Sequence, residues 1–387
     1  MLYIALKMLL EDKTKYLGII TGIALASLIM IQQPGILLSM LTHIYGVVSD
    51  VGLPDIWVMD PKVEMIDDSK PMLDTQLYRV RGVQGVDWAV PFYKGGQKAL
   101  LAGGETVNIQ LLGLDDATMI GGPAVMVQGS LEDLRQPDAV ILDENSANGR
   151  MAGGPGGPGH DLAPIRVGDT FEVNEKTARV VGIAKASQAF DSRPTLYTTY
   201  TRAKNYALSE RKMLTFILVK AKTDEPAPDV ARRITRDTGL AAYTADEFKQ
   251  KSLDNFLRHS NILVNFGFVV LIGFVVGAAV TGQLFYNFTM ENLRYFGVFK
   301  AMGASDRLVI GMVLLQAALV GSVGFGIGAG ASAAFAMSTK GSGGPSLLLN
   351  WQLLAGCGAA VFVMVLGAAC ISLRKVLTLE PGVVLKG

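Results

Sequence analysis

Cysteine is almost missing from this chain of 387 residues, and the two present, Cys357 and Cys370, both fall in the last long apolar stretch. The polar block between Asp50 and Arg258 therefore holds no disulfide of its own. Histidine is as scarce: His43, His160 and His259 stand far apart, with none of the spacings that ligate a metal. Charged residues make up only 18%, against ~25% in a typical soluble domain, while 50% are hydrophobic. A net charge of +1 excludes nucleic-acid binding by bulk electrostatics. No G-x-x-x-x-G-K-S/T phosphate loop occurs, so this chain does not bind and hydrolyse ATP in that manner. No nucleophile–base or carboxylate pair stands out either, which argues against an enzyme, and no cofactor is expected on the chain itself.

The charge that is present avoids four stretches: Lys15 to Asp50, His259 to Glu291, Arg307 to Lys340 and Lys340 to Arg374. Each holds about 30 residues without Asp, Glu, Lys or Arg, whereas a hydrocarbon core ~30 Å thick needs only ~20 helical residues. The spacing predicts an α-helical membrane protein with four transmembrane helices, one plus three. A large mixed α/β extracytoplasmic domain lies between helices 1 and 2. The predicted spans are 16–42, 259–287, 308–337 and 351–373, around an outer domain at 43–258, a cytoplasmic loop at 288–307, a short outer loop at 338–350 and a tail at 374–387. No ionisable residue lies inside a span, which excludes a proton relay.

Ala24-Leu25-Ala26 looks like a signal-peptide cleavage site but sits mid-span, so the first span is expected to be an uncleaved anchor that Pro34 kinks or ends. Before it, residues 1–15 carry Leu2, Leu6, Leu9 and Leu10 on one face, as in a helix lying in the inner interface among membrane lipid. Lys7, Lys13 and Lys15 precede span one; Arg294, Lys300 and Arg307 lie between spans two and three; Arg374, Lys375 and Lys386 follow span four. Lys340 alone lies between spans three and four. Nine basic residues against one place both termini in the cytoplasm and the large domain outside.

In the outer domain, strand patterns cover Ile56–Met59, Val86–Pro91, Val107–Leu114, Ala139–Leu142, Phe171–Val173, Ala178–Ile183, Thr195–Tyr200 and Thr215–Val219. Asn174-Glu175-Lys176 reads as a hairpin turn. Helices are predicted over Asp74–Arg81, Ser130–Arg135 and Pro228–Thr238, with Gly82 and Gly239 ending the first and last. Gly149–His160 is a Gly/Pro loop. Thr244 and Glu247 fit a capping box, and no Gly or Pro interrupts Ala245 to Phe266, so one stiff helix is expected to run from the domain into span two.

The run from Glu291 to Ser305 (ENLRYFGVFKAMGAS) has the most specific pattern in the chain. It reads as an amphipathic helix stopped by Gly303, with Leu293, Phe296, Phe299 and either Lys300 or Met302 at helical spacing. Glu291, Arg294, Gly297 and the Lys300-Ala301-Met302-Gly303-Ala304 run resemble the signature of the FtsX/MacB-like permease family, with Tyr295-Phe296 where an acidic-aliphatic pair is common. Tyr16-Leu17-Gly18 after Lys15, Leu77 to Val83 and Leu379-Glu380-Pro381 are also similar to this family, most of all to DevC-type permeases. The resemblance implies that 291–305 is a coupling helix docking on a separate cytoplasmic ABC ATPase dimer, which binds ATP and magnesium. Gly303 is expected at positive φ, Phe296 and Phe299 in a groove of the ATPase, and Arg294 and Lys300 at the groove's acidic rim.

Small residues four apart, Gly18/Gly22, Gly273/Gly277 and Gly324/Gly328, are expected at close helix packing, the first two pairs in a homodimer. Together these features point to the membrane subunit of an export system in the bacterial inner membrane. It would pass the force of ATP binding to its outer domains, which drive substrate into a periplasmic membrane-fusion adaptor of the DevB kind and a TolC-like outer-membrane channel. The other reading is an FtsX-like signalling scaffold whose outer domain activates a periplasmic cell-wall hydrolase.

Overall fold

A computed structural model describes residues 13–68, 70–152, 164–187, 193–207, 214–339 and 347–377. The interfacial helix expected before residue 13, the Gly/Pro run at 153–160, Lys340 and Leu379-Glu380-Pro381 lie outside the described residues. In chain order come α1 (Lys13–Ile44), α2 (Gly46–Asp50), β1 (Ile56–Met59), α3 (Thr75–Arg81), β2 (Val86–Leu100), β3 (Thr106–Leu114) and β4 (Val125–Gln128). A 3-10 turn at Leu131–Arg135 leads to β5 (Ala139–Asp143), α4 (Glu144–Asn148), β6 (Thr170–Val173), β7 (Lys176–Lys185), β8 (Thr195–Thr199) and α5 (Tyr200–Tyr206). Then follow β9 (Phe216–Ala221), α6 (Ala227–Thr238), β10 (Ala241–Thr244), α7 (Ala245–His259), α8 (Ile262–Glu291), α9 (Leu293–Ala301), α10 (Asp306–Thr339) and α11 (Trp351–Leu377). Residues 39–261 form one compact unit, and the long apolar helices form another.

The first unit is mixed α/β. Its strands run in the order β10-β1-β9-β2-β3-β8-β5-β7-β4, with β6 pairing β2 and β7. The β3/β8 and β5/β7 pairs are parallel and the others antiparallel. Because side chains alternate across a strand, Ile56, Val58, Ile217 and Val219 enter one core while Trp57, Met59, Phe216 and Leu218 enter the other. Leu77, Val80, Val230 and Ile234 from α3 and α6 cover the first face; Val47, Val48 and Phe248 from α2 and α7 cover the second. Burial on both faces is why these strands read as unbroken apolar runs.

Local chemistry sets the corners. Asn174 and Glu175 take φ of 47° and 65°, the positive pair that a tight hairpin needs between β6 and β7. Gly239 ends α6 at φ 73°. Buried Asp143 accepts from the Ser146 amide at 2.9 Å and the Thr195 amide at 2.8 Å, tying α4 and β8 to β5. Burial pushes the Asp143 carboxyl above its usual range, against the pull of those hydrogen bonds.

Two expectations fail here. The strand expected to stop at Pro91 continues to Leu100, passing from β9 on one edge to β3 on the other. Among the described residues only β9 pairs with it at Pro91, so the missing N–H breaks no second ladder. The stiff helix through Phe266 is also interrupted. The capping box forms, Glu247 accepting from the Thr244 amide at 2.8 Å, but α7 stops at His259 and Ser260 turns extended at φ −98°, ψ 127°. The Ser260 amide and hydroxyl both donate to the Phe256 carbonyl, at 2.9 and 2.5 Å, closing the last turn of α7 where the chain leaves the helix.

Among the described residues, four helices are long and apolar enough to cross a membrane: Tyr16–Ile44, Ile262–Glu291, Asp306–Thr339 and Trp351–Leu373. Glycines let α1 approach two of the other three closely. A methyl group on Gly273 would stand 2.9 Å from Ile29, on Gly277 2.5 Å from Ala26, on Gly324 2.6 Å from Ile23, and on Gly328 2.6 Å from Ser27. On Gly22 it would stand 3.0 Å from Val280, while Gly18 has nothing within 4 Å. The expected assignment of Gly22, Gly273 and Gly277 to a homodimer contact is therefore corrected. Their open faces already receive helices of the same chain, because close backbone approach satisfies van der Waals packing wherever a helix arrives first.

Pro34 does not end α1, which runs on to Ile44. Lacking an N–H, Pro34 leaves the Met30 carbonyl one turn earlier without its helical donor. The Cys357 thiol of α11 donates to that carbonyl at 3.0 Å, and the Leu348 amide donates to the Gly35 carbonyl at 3.2 Å. Replacing Cys357 with Ala is expected to cost about 0.5–1 kcal/mol of helical-unit stability, the net value of a weak hydrogen bond, and Cys357→Ser to retain most of it. Thermal unfolding in detergent checks this; equal midpoints for Ala and Ser would remove the thiol's role.

Candidate functional site

The site is the corner joining α8, α9 and α10. Glu291 ends α8 and is exposed, and Asn292 turns the chain. The Asn292 side-chain amide donates to the Phe288 carbonyl at 2.8 Å, while its own carbonyl accepts from the Tyr295 and Phe296 amides at 3.0 and 3.2 Å. One residue thus closes α8 and opens α9.

Nine residues of α9 present two apolar stripes. Phe296 and Gly297 are buried, and Leu293 and Phe299 are half-buried; the three apolar side chains pack with Phe285, Phe288, Val309 and Met312. On the other side Arg294, Tyr295, Val298 and Met302 are exposed, Met302 by 69%. The expectation that Phe296 and Phe299 fill a groove on a partner is thereby corrected. Both rings face the chain's own helices, because α9 must bury one stripe to sit against the bundle, and the stripe carrying Gly297 permits the closer approach. Sequence spacing alone marked Phe296 and Phe299, with Met302 as a further position of that stripe, and passed over Tyr295 and Val298, which reach Met302 by the same helical spacing. The glycine beside Phe296 was the available signal.

Lys300 is corrected too. Its ammonium lies 2.9 Å from the Asp306 carboxylate, with the Lys300 side chain only 10% exposed, so it does not stand free at a rim. Asp306, in the first turn of α10, was missed because it falls outside the motif and pairs across a bend. The bend is Gly303, at φ 94°. Its amide donates to the Lys300 carbonyl at 3.0 Å and the Ala304 amide to the Phe299 carbonyl at 2.9 Å, the paired bonds of a Schellman ending. A side chain at Gly303 would touch nothing within 4 Å, so glycine is required there by backbone conformation and not by space. Among the described residues, no group of three His, Cys, Asp or Glu is placed to hold a metal.

Two family models match the chain. The MacB-like periplasmic core domain spans residues 16–237, more than half its length, and the FtsX-like permease C-terminal region spans residues 267–381. The chain belongs to the FtsX/MacB-like family of ABC transporter permeases. An uncharacterized ABC transporter permease of Mycobacterium tuberculosis is 25% identical over 253 residues, 65% of this chain, and the match spans 62% of that relative's length. Another, from Mycobacterium bovis, is 26% identical over 155 residues, 40% of each chain. Among solved structures, the periplasmic region of MacB from Actinobacillus actinomycetemcomitans covers 52% of this chain and 94% of its own, at 16% identity and TM-score 0.39. The extracellular domain of the noncanonic ABC-type transporter YknZ covers 49% and 98%, at 14% identity and TM-score 0.34.

Proposed function

We propose that this chain is the force-transmitting permease subunit of an ABC export system, with α9 as its input. The observation that carries the reading is the exposed stripe Tyr295–Val298–Met302 on a short helix whose opposite face is anchored by Phe296. An anchored helix with a free apolar face and an adjoining Arg294 suits docking on a groove of a cytoplasmic ABC ATPase, where ATP and magnesium would be bound. Two copies of the chain would work with an ATPase dimer in the inner membrane, both termini cytoplasmic, and meet through surfaces other than the glycine faces occupied within each copy. Movement of α9 would pass along α8 and α1 to the periplasmic domain, which would press substrate into an adaptor and an outer-membrane channel.

Tyr295→Ala combined with Met302→Ala is expected to lower ATPase retention on pull-down from lipid nanodiscs at least roughly 30-fold, as truncated interface aromatics do. Stimulation of hydrolysis should fall with it, while insertion and thermal midpoint stay unchanged. Wild-type retention by the double variant would remove α9 as the docking helix.

A further inference from the structure

We infer that Lys300 and Asp306 form a latch that fixes α9 against the start of α10 and carries load across the Gly303 bend. The inference rests on α9 being the docking helix. Lys300 and Asp306 sit on opposite sides of the bend, 2.9 Å apart, one side chain almost covered and the other 63% exposed. Between them the chain reverses at Gly303, which has no side chain of its own to pack there, and two backbone hydrogen bonds close the turn. A glycine at the turn leaves the backbone there free to yield under a push. An ion pair spanning it stiffens the angle, and one partly shielded from water is less screened by salt than a fully exposed pair.

Asp306 is held a second way. It lies in the first turn of a helix of 34 residues, where the exposed amide groups favour a negative charge. Lys300 in turn leaves α9 near its C-terminal end, where a cation is favoured. The pair therefore joins the end of one helix dipole to the start of the next. Phe296 holds the middle of α9 in the bundle, so load from the exposed stripe acts about that anchor and is resisted at the Lys300 end. Lys300 and Asp306 are positioning residues that touch no partner in this reading.

Hydrogen exchange on the full chain in lipid nanodiscs, read by mass spectrometry over peptides 296–305, tests the latch directly. Lys300→Gln and Asp306→Asn should each speed exchange of the Gly303 and Ala304 amides roughly tenfold. The charge-exchanged pair Lys300→Glu with Asp306→Lys should recover part of the protection, because the ion pair returns while each charge now opposes its helix dipole; a merely space-filling role would recover none. In parallel, the ATPase that copurifies with the unmodified chain is retained by all three variants. Its stimulation falls roughly fivefold in the two single variants and returns in part in the exchanged pair. Normal retention with unmoved exchange, or with unmoved stimulation, overturns the latch alone. If the unmodified chain retains no ATPase, the docking assignment falls, and the load-carrying role falls with it.

Discussion

Phe296→Ala is expected to lower the stability of the helical unit by about 3 kcal/mol, at the low end of aromatic truncations in cores. Phe296 is fully buried and packs in the cluster of Phe285, Phe288, Val309 and Met312. The loss is the dispersion contacts of the ring and the cavity it leaves. Tyr295→Ala, one residue away but 51% exposed, should move stability by less than about 0.5 kcal/mol. Thermal scans of the two variants in the same detergent separate them. An unchanged midpoint for Phe296→Ala would put its ring outside the bundle and revive it as a docking residue. A loss of ATPase retention in that variant, with a lowered midpoint, reports a displaced α9 and not a lost contact.

Trp57→Ala should destabilise the α/β unit by about 3–5 kcal/mol. The indole is fully buried between both sides of its core. Its ring lies 5.7 Å from Phe92 and 5.6 Å from Phe216, both edge-on, and 6.0 Å from Phe248 of α7. Such pairs add about 0.5–1.5 kcal/mol each beyond burial. Trp57 also carries a cost, since its indole N–H is buried without a hydrogen-bond partner among the described residues. Leaving such a donor unpaired costs about 1–3 kcal/mol, so Trp57→Phe, which removes it with part of the ring, should cost less than about 1.5 kcal/mol. Urea unfolding of the full chain in nanodiscs, followed by loss of near-ultraviolet dichroism, distinguishes the two. Equal costs for Ala and Phe would mean that ring volume alone matters at this position.

Much of the architecture was legible because it depends on local or periodic properties. The long uncharged stretches coincide with long helices, since a hydrophobic run of that length has few other stable forms. Caps and turns were legible for the same reason: Thr244 with Glu247, Gly239, Asn174-Glu175 and Gly303 each encode a backbone conformation in a few adjacent residues. Short helices such as α4 and α5 were not seen. Glu144–Asn148 and Tyr200–Tyr206 are too brief to show a period and depend on Asp143 and Thr199 caps placed by the sheet.

At the candidate site the division is sharper. Sequence alone determined that a helix ended by Gly303 lies within residues 291–305, that it joins two apolar helices, and that the chain lacks a phosphate loop of its own. Helical spacing did not separate the Phe296 stripe from the Tyr295 stripe, because both repeat with the helix and both are apolar; Gly297 beside Phe296 was the one local signal. Tertiary structure decided that question. One face of α9 had to be buried against α8 and α10, and Phe296 beside Gly297 took it, leaving Tyr295, Val298 and Met302 exposed. The same holds for Lys300 and for Gly22, Gly273 and Gly277, whose residue types set what they are able to contact. Only the folded arrangement set which neighbour arrived, an aspartate across a bend in one case and helices of the same chain in the other. Helical periodicity and capping are written within a few turns of chain, whereas partner choice is made by packing between elements far apart in sequence.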